Sequence, residues 1–255
     1  MAIAPKKSTG PIEIQPIRTQ SIVIPIRGTR PLILNRMTEK ARQELLMPAR
    51  KSVATRRATL KHDVYEEFQS APYVFQNDDA PTLLAFPASA FKQGMVAAAG
   101  RVPGGVKAEI RQLVWTEGDL LPIYGTPQLL MSVTRSAGMN RTPDIRTRVI
   151  VPEWATEVVV NFTDGLITQT SISNLLQAAG QICGLGDWRA EKGSGTFGQY
   201  TIVDPDDDED FRRIVAEGGR TVQQAAMNNP SPYDAETKEL LSWFDAELKA
   251  RGIAA

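Results

Sequence analysis

Short apolar runs separated by polar turns recur along the chain and predict strands. The first run extends from Ser21 to Arg27, is rich in isoleucine and valine, and ends at Gly28. Pro25 inside it predicts an edge position or a bulge, because proline cannot donate a ladder hydrogen bond. By the same pattern, further strands are predicted at 31–35, 82–86, 110–115, 120–124, 128–134, 147–151, 156–162 and 196–203.

Three other stretches have the composition of helices. Residues 89–99 are rich in alanine and end at Gly100, and Ser89 is placed to act as an N-cap. Residues 171–183 and 235–249 are the other two. Strand, helix, two or more strands, helix and strand is the order of a ferredoxin-like or RRM-like fold. The sequence therefore predicts an α+β protein with an antiparallel sheet, a helical insertion after the first strand, extra hairpins and a C-terminal helix.

Three segments follow from this order. Residues 1–16 are predicted to form a flexible N-terminal arm, 17–203 the RRM-like core, and 204–255 an acidic linker with the C-terminal helix. Within the core, 38–80 are predicted to form a basic helical insertion or thumb. Large apolar residues at helical spacing are too few there for a helix of the core.

Charge is distributed unevenly along the 255 residues, although 29 Lys+Arg balance 29 Asp+Glu. Residues 1–61 carry a net charge of +10, residues 62–203 a charge of −4, and residues 204–255 a charge of −6. A basic N-terminal part favours a polyanionic ligand, and an acidic C-terminal part favours a competitor or partner surface. The alternative is two solvated faces of an ordinary domain.

Several classes of protein are excluded by composition. The one cysteine, Cys183, excludes a disulfide framework or a cysteine-based zinc cluster, and the one histidine, His62, excludes sites with several histidines. No run approaches 18 apolar residues, and the first residues lack the apolar region of a signal peptide. We therefore expect a cytoplasmic protein without membrane contact, cofactor or metal, and we assign no catalytic residue.

A glycine-rich loop is the strongest local motif. Five glycines lie between Gly184 and Gly198, with Trp188, Arg189 and Lys192 among them. Such a loop permits close approach to another backbone, while the aromatic and basic side chains suit stacking and phosphate contact. It follows a helix and precedes a strand, so it matches neither a P-loop nor a Rossmann loop. The alternative is a tight turn that packs against the sheet edge.

The sequence resembles the RAMP superfamily, the RRM-like backbone subunits of CRISPR effector complexes. The resemblance lies in Phe86-Pro87-Ala88-Ser89-Ala90-Phe91-Lys92 at the start of a helix and in the late loop that ends Gly195-Thr-Phe-Gly198-Gln-Tyr200. It covers about Ser21 to Val203 in element order and departs from the family pattern at Ala88, Ala90 and Gln93. It implies a subunit that multimerises along single-stranded nucleic acid, usually guide RNA, with a thumb that crosses a neighbour.

We therefore predict a non-catalytic protein that binds single-stranded nucleic acid, RNA rather than DNA, as a head-to-tail homo-oligomer. Its candidate contacts are basic, glycine or aromatic residues of the insertion, the first helix, an arginine-containing loop and the glycine-rich loop. They are Arg36, Lys40, Arg42, Arg50, Lys51, Arg56, Arg57, Ser89, Lys92, Arg135, Arg141, Trp188, Arg189, Lys192, Gly193 and Gly195. Ser89 has the alternative role of a simple N-cap, and Lys92 that of a surface lysine.

Two other functions stay open. Some members of the superfamily cut RNA with a loop aspartate, and Asp63, Asp78 and Asp79 lie in the corresponding interval. His62 next to Asp63 is either a general base or an exposed histidine. The third function is a structural assembly protein, for example a viral one, whose oppositely charged ends stack without nucleic acid. The acidic run 204–210 is either a solvated linker or a partner surface, and it does not fit an EF-hand.

Overall fold

A computed structural model describes residues 16–36, 62–135, 143–193 and 195–250. The strands are β1 (Thr19–Gly28), β2 (Leu32–Leu34), β3 (Tyr73–Val74), β4 (Leu84–Pro87), β5 (Val114–Thr116), β6 (Leu120–Pro122), β7 (Gln128–Arg135), β8 (Pro143–Val151), β9 (Ala155–Thr163) and β10 (Tyr200–Ile202). The α-helices are α1 (Val64–Ser70), α2 (Ser89–Ala99), α3 (Lys107–Leu113), α4 (Gln169–Ile182), α5 (Glu209–Glu217), α6 (Arg220–Asn228) and α7 (Ala235–Ala250).

The central sheet has four strands in the order β10-β1-β9-β5, and every neighbouring pair is antiparallel. Along the chain its elements follow one another as β1, α2, β5, β9, α4 and β10. In the ferredoxin-like fold the first of the four strands lies between the fourth and the third. Here β1 lies in the same way between β10 and β9. The predicted α+β fold class is confirmed.

One face of the central sheet forms the main core. Ile24 and Ile26 of β1, with Val158, Val160 and Phe162 of β9, are buried on this face, as period-2 alternation requires. Helices α2 and α4 pack against it and against each other. Their close contact follows from small residues, because a Cβ on Gly94 would lie 3.5 Å from that of Ala179.

Pro25 lies in β1, which is an inner strand rather than an edge. Pairing of β1 with β10 begins only at Ile26, and the Pro25 carbonyl accepts a hydrogen bond from Val203, just beyond β10. The hydrogen bond that proline cannot donate therefore falls outside the β10 ladder. The prediction that Pro25 lies at an edge or a bulge is therefore wrong, and proline is accommodated because it lies just beyond the end of the pairing with β10.

Two three-stranded antiparallel sheets, β2-β8-β7 and β3-β4-β6, complete the described sheets. In the first of them β7 is the last strand among the described residues, and residues 231–233 lie along its outer side. Leu129 donates to Ser231 (2.8 Å) and accepts from Tyr233 (2.9 Å). The hydroxyl of Thr237 at the start of α7 accepts from the Met131 N–H at 3.2 Å. The C-terminal segment thus closes this side of the sheet.

Helix α6 is connected to the core by the side chain of Gln223, which is fully buried. Its Oε1 accepts from the N–H groups of Leu83 and Leu84 at 2.8 and 2.9 Å. Its Nε2 lies 2.7–3.0 Å from the carbonyls of Ile123, Gly125 and Gly218. One amide thereby satisfies backbone groups at the start of β4, of the residues that follow β6 and of the residue that follows α5. These segments also bond to one another, since the Ile123 N–H donates to Leu84 and the Gly125 N–H to Gly218, and the buried amide stabilises their arrangement.

Three sequence predictions differ from the structure. Residues 110–115, predicted as a strand, form the end of α3 and only then β5, because Lys107–Leu113 consists of helix-forming residues. The acidic run predicted as a linker leads into α5, where the Asp208 carboxylate caps the helix by accepting from the Phe211 N–H at 2.8 Å. Ser89 is the first residue of α2 and not its N-cap, a position held by Ala88 without a side-chain hydrogen bond.

Most of the predicted insertion, 37–61, lies outside the described residues. Its last part packs on the core, because α1 buries Val64 and Phe68 and contacts β8. The arm 1–15 also lies outside the described residues. Within the described ranges, we find no helix with the length and apolarity needed to cross a bilayer.

Candidate nucleic-acid interface

The glycine-rich loop docks on the connection between β1 and β2. The Asp187 N–H donates to the Ile33 carbonyl at 3.0 Å, and the Gly198 N–H donates to the Pro31 carbonyl at 2.8 Å. Gly186 and Gly198 have φ of 73° and 68°, and a Cβ on either would collide with a backbone carbonyl, of Ile33 and Leu185 respectively. These glycines are required for the left-handed conformation and for close backbone approach.

A groove of about 430 Å³ opens beside this docked loop. Four segments line it: the end of β2, strand β3, the junction of β4 with α2, and the glycine-rich loop. The polar and aromatic lining residues are Asn35, Tyr73, Phe86, Ser89, Gln93, Asp187, Arg189 and Glu191. The arrangement brings the two motifs that resemble the RAMP pattern to one place, although about 90 residues separate them in the sequence.

Asp187 is the centre of the hydrogen-bond network on the loop side of the groove. Its Oδ2 accepts from Asn35 Nδ2 at 3.0 Å and lies 2.8 Å from Arg148 Nε. Its Oδ1 accepts from the Trp188 N–H at 3.1 Å. Because Asp187 is tied to β8 through Arg148 and to the residue after β2 through Asn35, the loop is held in one orientation before any ligand binds.

Arg148 and Trp188 form a stacked pair behind the groove. The guanidinium carbon of Arg148 lies 4.7 Å from the centre of the Trp188 ring, a cation–π distance. Burial lowers the pKa of the Arg148 guanidinium, and the Asp187 carboxylate opposes this effect. Trp188 also packs on Phe197 and on the apolar cluster of Ile33, Leu130 and Ile150. One face of the ring predicted to stack on a base is therefore covered by a side chain of the protein.

The predicted loop cations differ in their surroundings. Arg189 is engaged, because its Nη1 donates to the Gly186 carbonyl at 2.8 Å and its Nε to Glu191 at 3.1 Å. Lys192 ends a short 3-10 helix and is exposed, as is Gly193. A Cβ on Gly193 would meet open space, whereas one on Gly195 would collide with the Trp188 carbonyl. Gly195 is therefore needed for packing, and Gly193 is not.

The other predicted contacts lie at different distances from the groove. Arg36 follows β2, and its guanidinium carbon lies 5.3 Å from the centre of the Tyr73 ring. Ser89 is exposed and lines the groove, whereas Lys92 is half-buried on a neighbouring face of α2. The remaining predicted contacts lie outside the described side chains: Lys40, Arg42, Arg50, Lys51, Arg56, Arg57, Arg135 and Arg141.

Of the aspartates considered for RNA cleavage, Asp63 and Asp78 have side chains with local structural roles. Asp63 caps α1 by accepting from the N–H groups of Tyr65 and Glu66. Asp78 forms an ion pair with Arg220 at 2.8 Å, and the Asp79 N–H donates to Asn77 in a turn. Among the described residues, no three histidine, cysteine, aspartate or glutamate side chains could together hold a metal ion.

His62 is half-buried and bridges two carboxylates, so the expectation of an exposed histidine is wrong. Its Nδ1 lies 2.5 Å from Glu67 and its Nε2 lies 2.9 Å from Asp144. Glu67 also accepts from the Thr147 N–H at 3.3 Å. Because both ring nitrogens are engaged, His62 joins the start of α1 to β8.

A larger cavity of about 690 Å³ lies at the opposite end of the helix pair, where β9 ends and α4 begins. Among its described lining residues, the charged side chains are the carboxylates of Glu109 and Asp164. An acidic cavity without a cation repels a polyanion. The groove at the start of α2 has Arg189 in its lining and Arg36 over its Tyr73, and it is therefore the better candidate for a nucleic-acid site.

The residues that sequence reasoning missed are Asn35, Tyr73, Gln93, Arg148 and Asp187. Asn35, Arg148 and Asp187 form one network, and Asn35, Tyr73, Gln93 and Asp187 line the groove. Asp187 could have been found from the sequence, because it lies inside the glycine-rich motif next to Trp188. The others could not, because they come from separate segments that only the folded chain brings together.

Comparisons with known proteins give structural matches only. No protein-family model matches the chain, and no curated protein matches it. One similar solved structure is that of Type III-B Cmr-beta bound to cognate target RNA, with 12% identity, a TM-score of 0.38, and coverage of 73% of this chain and 59% of that chain. Another is Cmr6 from Pyrococcus furiosus, with 13% identity, a TM-score of 0.37, and coverage of 73% and 98%.

Both matches are to structures of Cmr proteins. This chain spans 59% of the length of the first. Superpositions with TM-scores below 0.5 are loose. The fold class of this chain is therefore established by its own strand order, β10-β1-β9-β5.

Proposed function

We propose that the protein binds single-stranded nucleic acid, RNA rather than DNA, without cleaving it, and multimerises head to tail along the strand. The observation that carries this proposal is the groove, in which the start of α2 and the glycine-rich loop meet beside Arg36. A preformed groove with cations close by is suited to a flexible anionic chain, because little ordering of the protein is needed on binding.

The residues around the groove support contact with the phosphate backbone of the nucleic acid. Lys192 and Gly193 are exposed on the glycine-rich loop, and Arg36 is half-buried at the end of β2. From Arg36 the chain continues into the segment 37–61, which contains seven of the chain's lysines and arginines and two glutamates. Positive charge is thus concentrated in the part of the sequence that follows Arg36, and such a concentration favours phosphate groups.

Binding by titration of labelled single-stranded RNA and DNA, at several salt concentrations, tests the proposal. We expect the logarithm of the affinity to fall linearly with the logarithm of the salt concentration. Strands of increasing length should bind successive copies in steps. A protein that ignores both kinds of strand at low salt would overturn the proposal.

Arg36→Gln gives a residue-level prediction for the same assay. Loss of one phosphate contact should weaken RNA binding several-fold and reduce the salt slope by about 0.7, the value for one contact to a single strand. The matched control is Arg111→Gln, because Arg111 is exposed on α3, which follows the other end of α2. Equal affinity and slope for the two variants would remove Arg36 from the interface.

A further inference from the structure

The groove differs chemically from a phosphate site. Its lining contains two carboxylates, Asp187 and Glu191, and one guanidinium, that of Arg189. Arg189 is already bound to Glu191, and Asp187 is paired with Arg148. A phosphate placed in this space would lie next to two negative charges, with little uncompensated positive charge to bind it. The phosphate backbone therefore belongs outside the groove, at the exposed cations.

A neutral, flat group fits the same lining. Tyr73 provides an aromatic ring that is half-buried, with the planar guanidinium of Arg36 over it. Base–aromatic stacking is the usual means by which proteins hold an unstacked nucleotide, and a guanidinium plane adds to it. A volume of about 430 Å³ lies in the range of small-molecule pockets, and it accommodates one nucleoside rather than a helical stack.

The hydrogen-bonding groups of the groove are mainly acceptors. Asn35 donates one Nδ2 hydrogen to Asp187, which orients the amide and leaves its side-chain oxygen, together with the second Nδ2 hydrogen, for a ligand. The carboxylates of Asp187 and Glu191 accept only, and Ser89 and Gln93 are exposed polar residues on α2. Acceptors recognise N–H groups, and the exocyclic amino groups of adenine, cytosine and guanine present them. Uracil, with two carbonyl oxygens and a single N–H, is the poorer match.

We infer that the groove is a nucleobase pocket, in which a base with an exocyclic amino group stacks at Tyr73 and is bound by Asn35, Gln93 and Asp187 while its phosphates stay outside. This inference rests on the proposed function and goes beyond it, since it assigns base selectivity to a protein expected to follow the strand backbone. It also assigns Asp187 to holding Asn35 in place, because the Asn35 amide is oriented by that carboxylate.

The test uses the full chain and a single-stranded RNA with 2-aminopurine at one position, since this fluorescent base is quenched when it stacks. Quenching is expected with the native protein and with Tyr73→Phe, which keeps the ring, and not with Tyr73→Leu. Affinity for oligoadenylate should fall about tenfold in Tyr73→Leu, the effect of one lost stacking contact. Because Tyr73 is half-buried, the unfolding midpoint of each variant is measured alongside.

Gln93→Ala provides a second test at an exposed helix position that cannot disturb the core. The native protein should prefer oligoadenylate to oligouridylate about tenfold, and Gln93→Ala should lose part of this preference. Equal affinity for both homopolymers, or quenching that persists in Tyr73→Leu, would overturn the pocket and leave the proposed function intact. No binding of any strand by the native protein would overturn both.

Discussion

The two ends of the α2–α4 helix pair carry cavities that differ in how they are built. The groove at the start of α2 combines segments from four parts of the chain and is fixed by the Asp187 network. The opposite cavity is larger, and its charged lining residues within the described chain, Glu109 and Asp164, are both acidic. Preorganised side chains and nearby cations, rather than volume, therefore distinguish a candidate binding site from a surface depression.

Glycine-to-alanine substitutions should give the largest difference in stability between the groove and the opposite cavity. Gly198→Ala combines a positive φ with a collision against the Leu185 carbonyl, so we expect a loss of about 3 kcal/mol or more in the free energy of unfolding. Gly104→Ala at the opposite cavity has a similar φ of 78° but open space around it. It should cost only about 1 kcal/mol.

Urea unfolding of the two glycine variants measures this difference. Both glycines have the left-handed conformation, so the backbone strain of an alanine is similar at the two positions. The difference in unfolding free energy therefore reports the collision with the neighbouring backbone at Gly198. Similar losses for the two variants would mean that the glycine-rich loop is not tightly docked on β2 and that the groove is not preformed.

Removal of one carboxylate at the groove and one at the opposite cavity should change stability less than the glycine substitutions. Asp187→Asn leaves the buried guanidinium of Arg148 without its ion pair, and we expect a loss of about 2 kcal/mol, less than for a fully buried pair because Asp187 is partly exposed. Asp164→Asn at the opposite cavity should change stability by less than about 0.5 kcal/mol, as at an ordinary surface position. Thermal unfolding compares them, and a neutral Asp187→Asn would contradict the proposed network.

Cys183 gives the smallest expected effect and a local measure of the groove. Burial raises the pKa of this thiol above its ordinary value, and the Glu191 carboxylate acts in the same direction. A thiol with a raised pKa favours the folded state below the ordinary thiol pKa, and this contribution is lost as the pH rises through the folded-state value. Stability should therefore decrease slightly in alkaline solution.

Alkylation of Cys183 measures the same property directly. The native protein should react slowly at neutral pH, because the thiol is buried immediately before Gly184 of the loop. Gly198→Ala should react faster than Gly104→Ala at equal denaturant concentration. Rapid alkylation of the native protein would show that the loop opens without ligand.

The sequence predicted the elements whose pattern is local. Alternation identified β1 and β9, and the alanine-rich composition identified α2, so the ferredoxin-like order could be predicted. It did not predict α3, because 110–115 combine apolar residues with helix formers and only the neighbouring 107–109 decide the outcome. It did not predict α5 either, since a run of carboxylates resembles a solvated linker until Asp208 caps a helix.

The candidate site was predictable only where it lies within a motif. The glycine-rich loop and Ser89 were found from the sequence, and both line the groove. Trp188 was chosen for its chemistry, but its position depends on Arg148, a residue 40 positions away that covers its ring. Asn35 and Tyr73 carry no local signal, because their importance arises from long-range contacts with the loop and with α2.

The pairing of residues 231–233 with β7 has a consequence for how copies of this chain associate. An uncovered strand is a template for strands of other molecules and a common start of aggregation. Here the chain's own C-terminal segment occupies Leu129 and Met131 of that strand. Growth by strand addition is therefore blocked at these positions, and proteolytic cleavage after α6 would uncover the outer edge of β7 for pairing with strands of other copies.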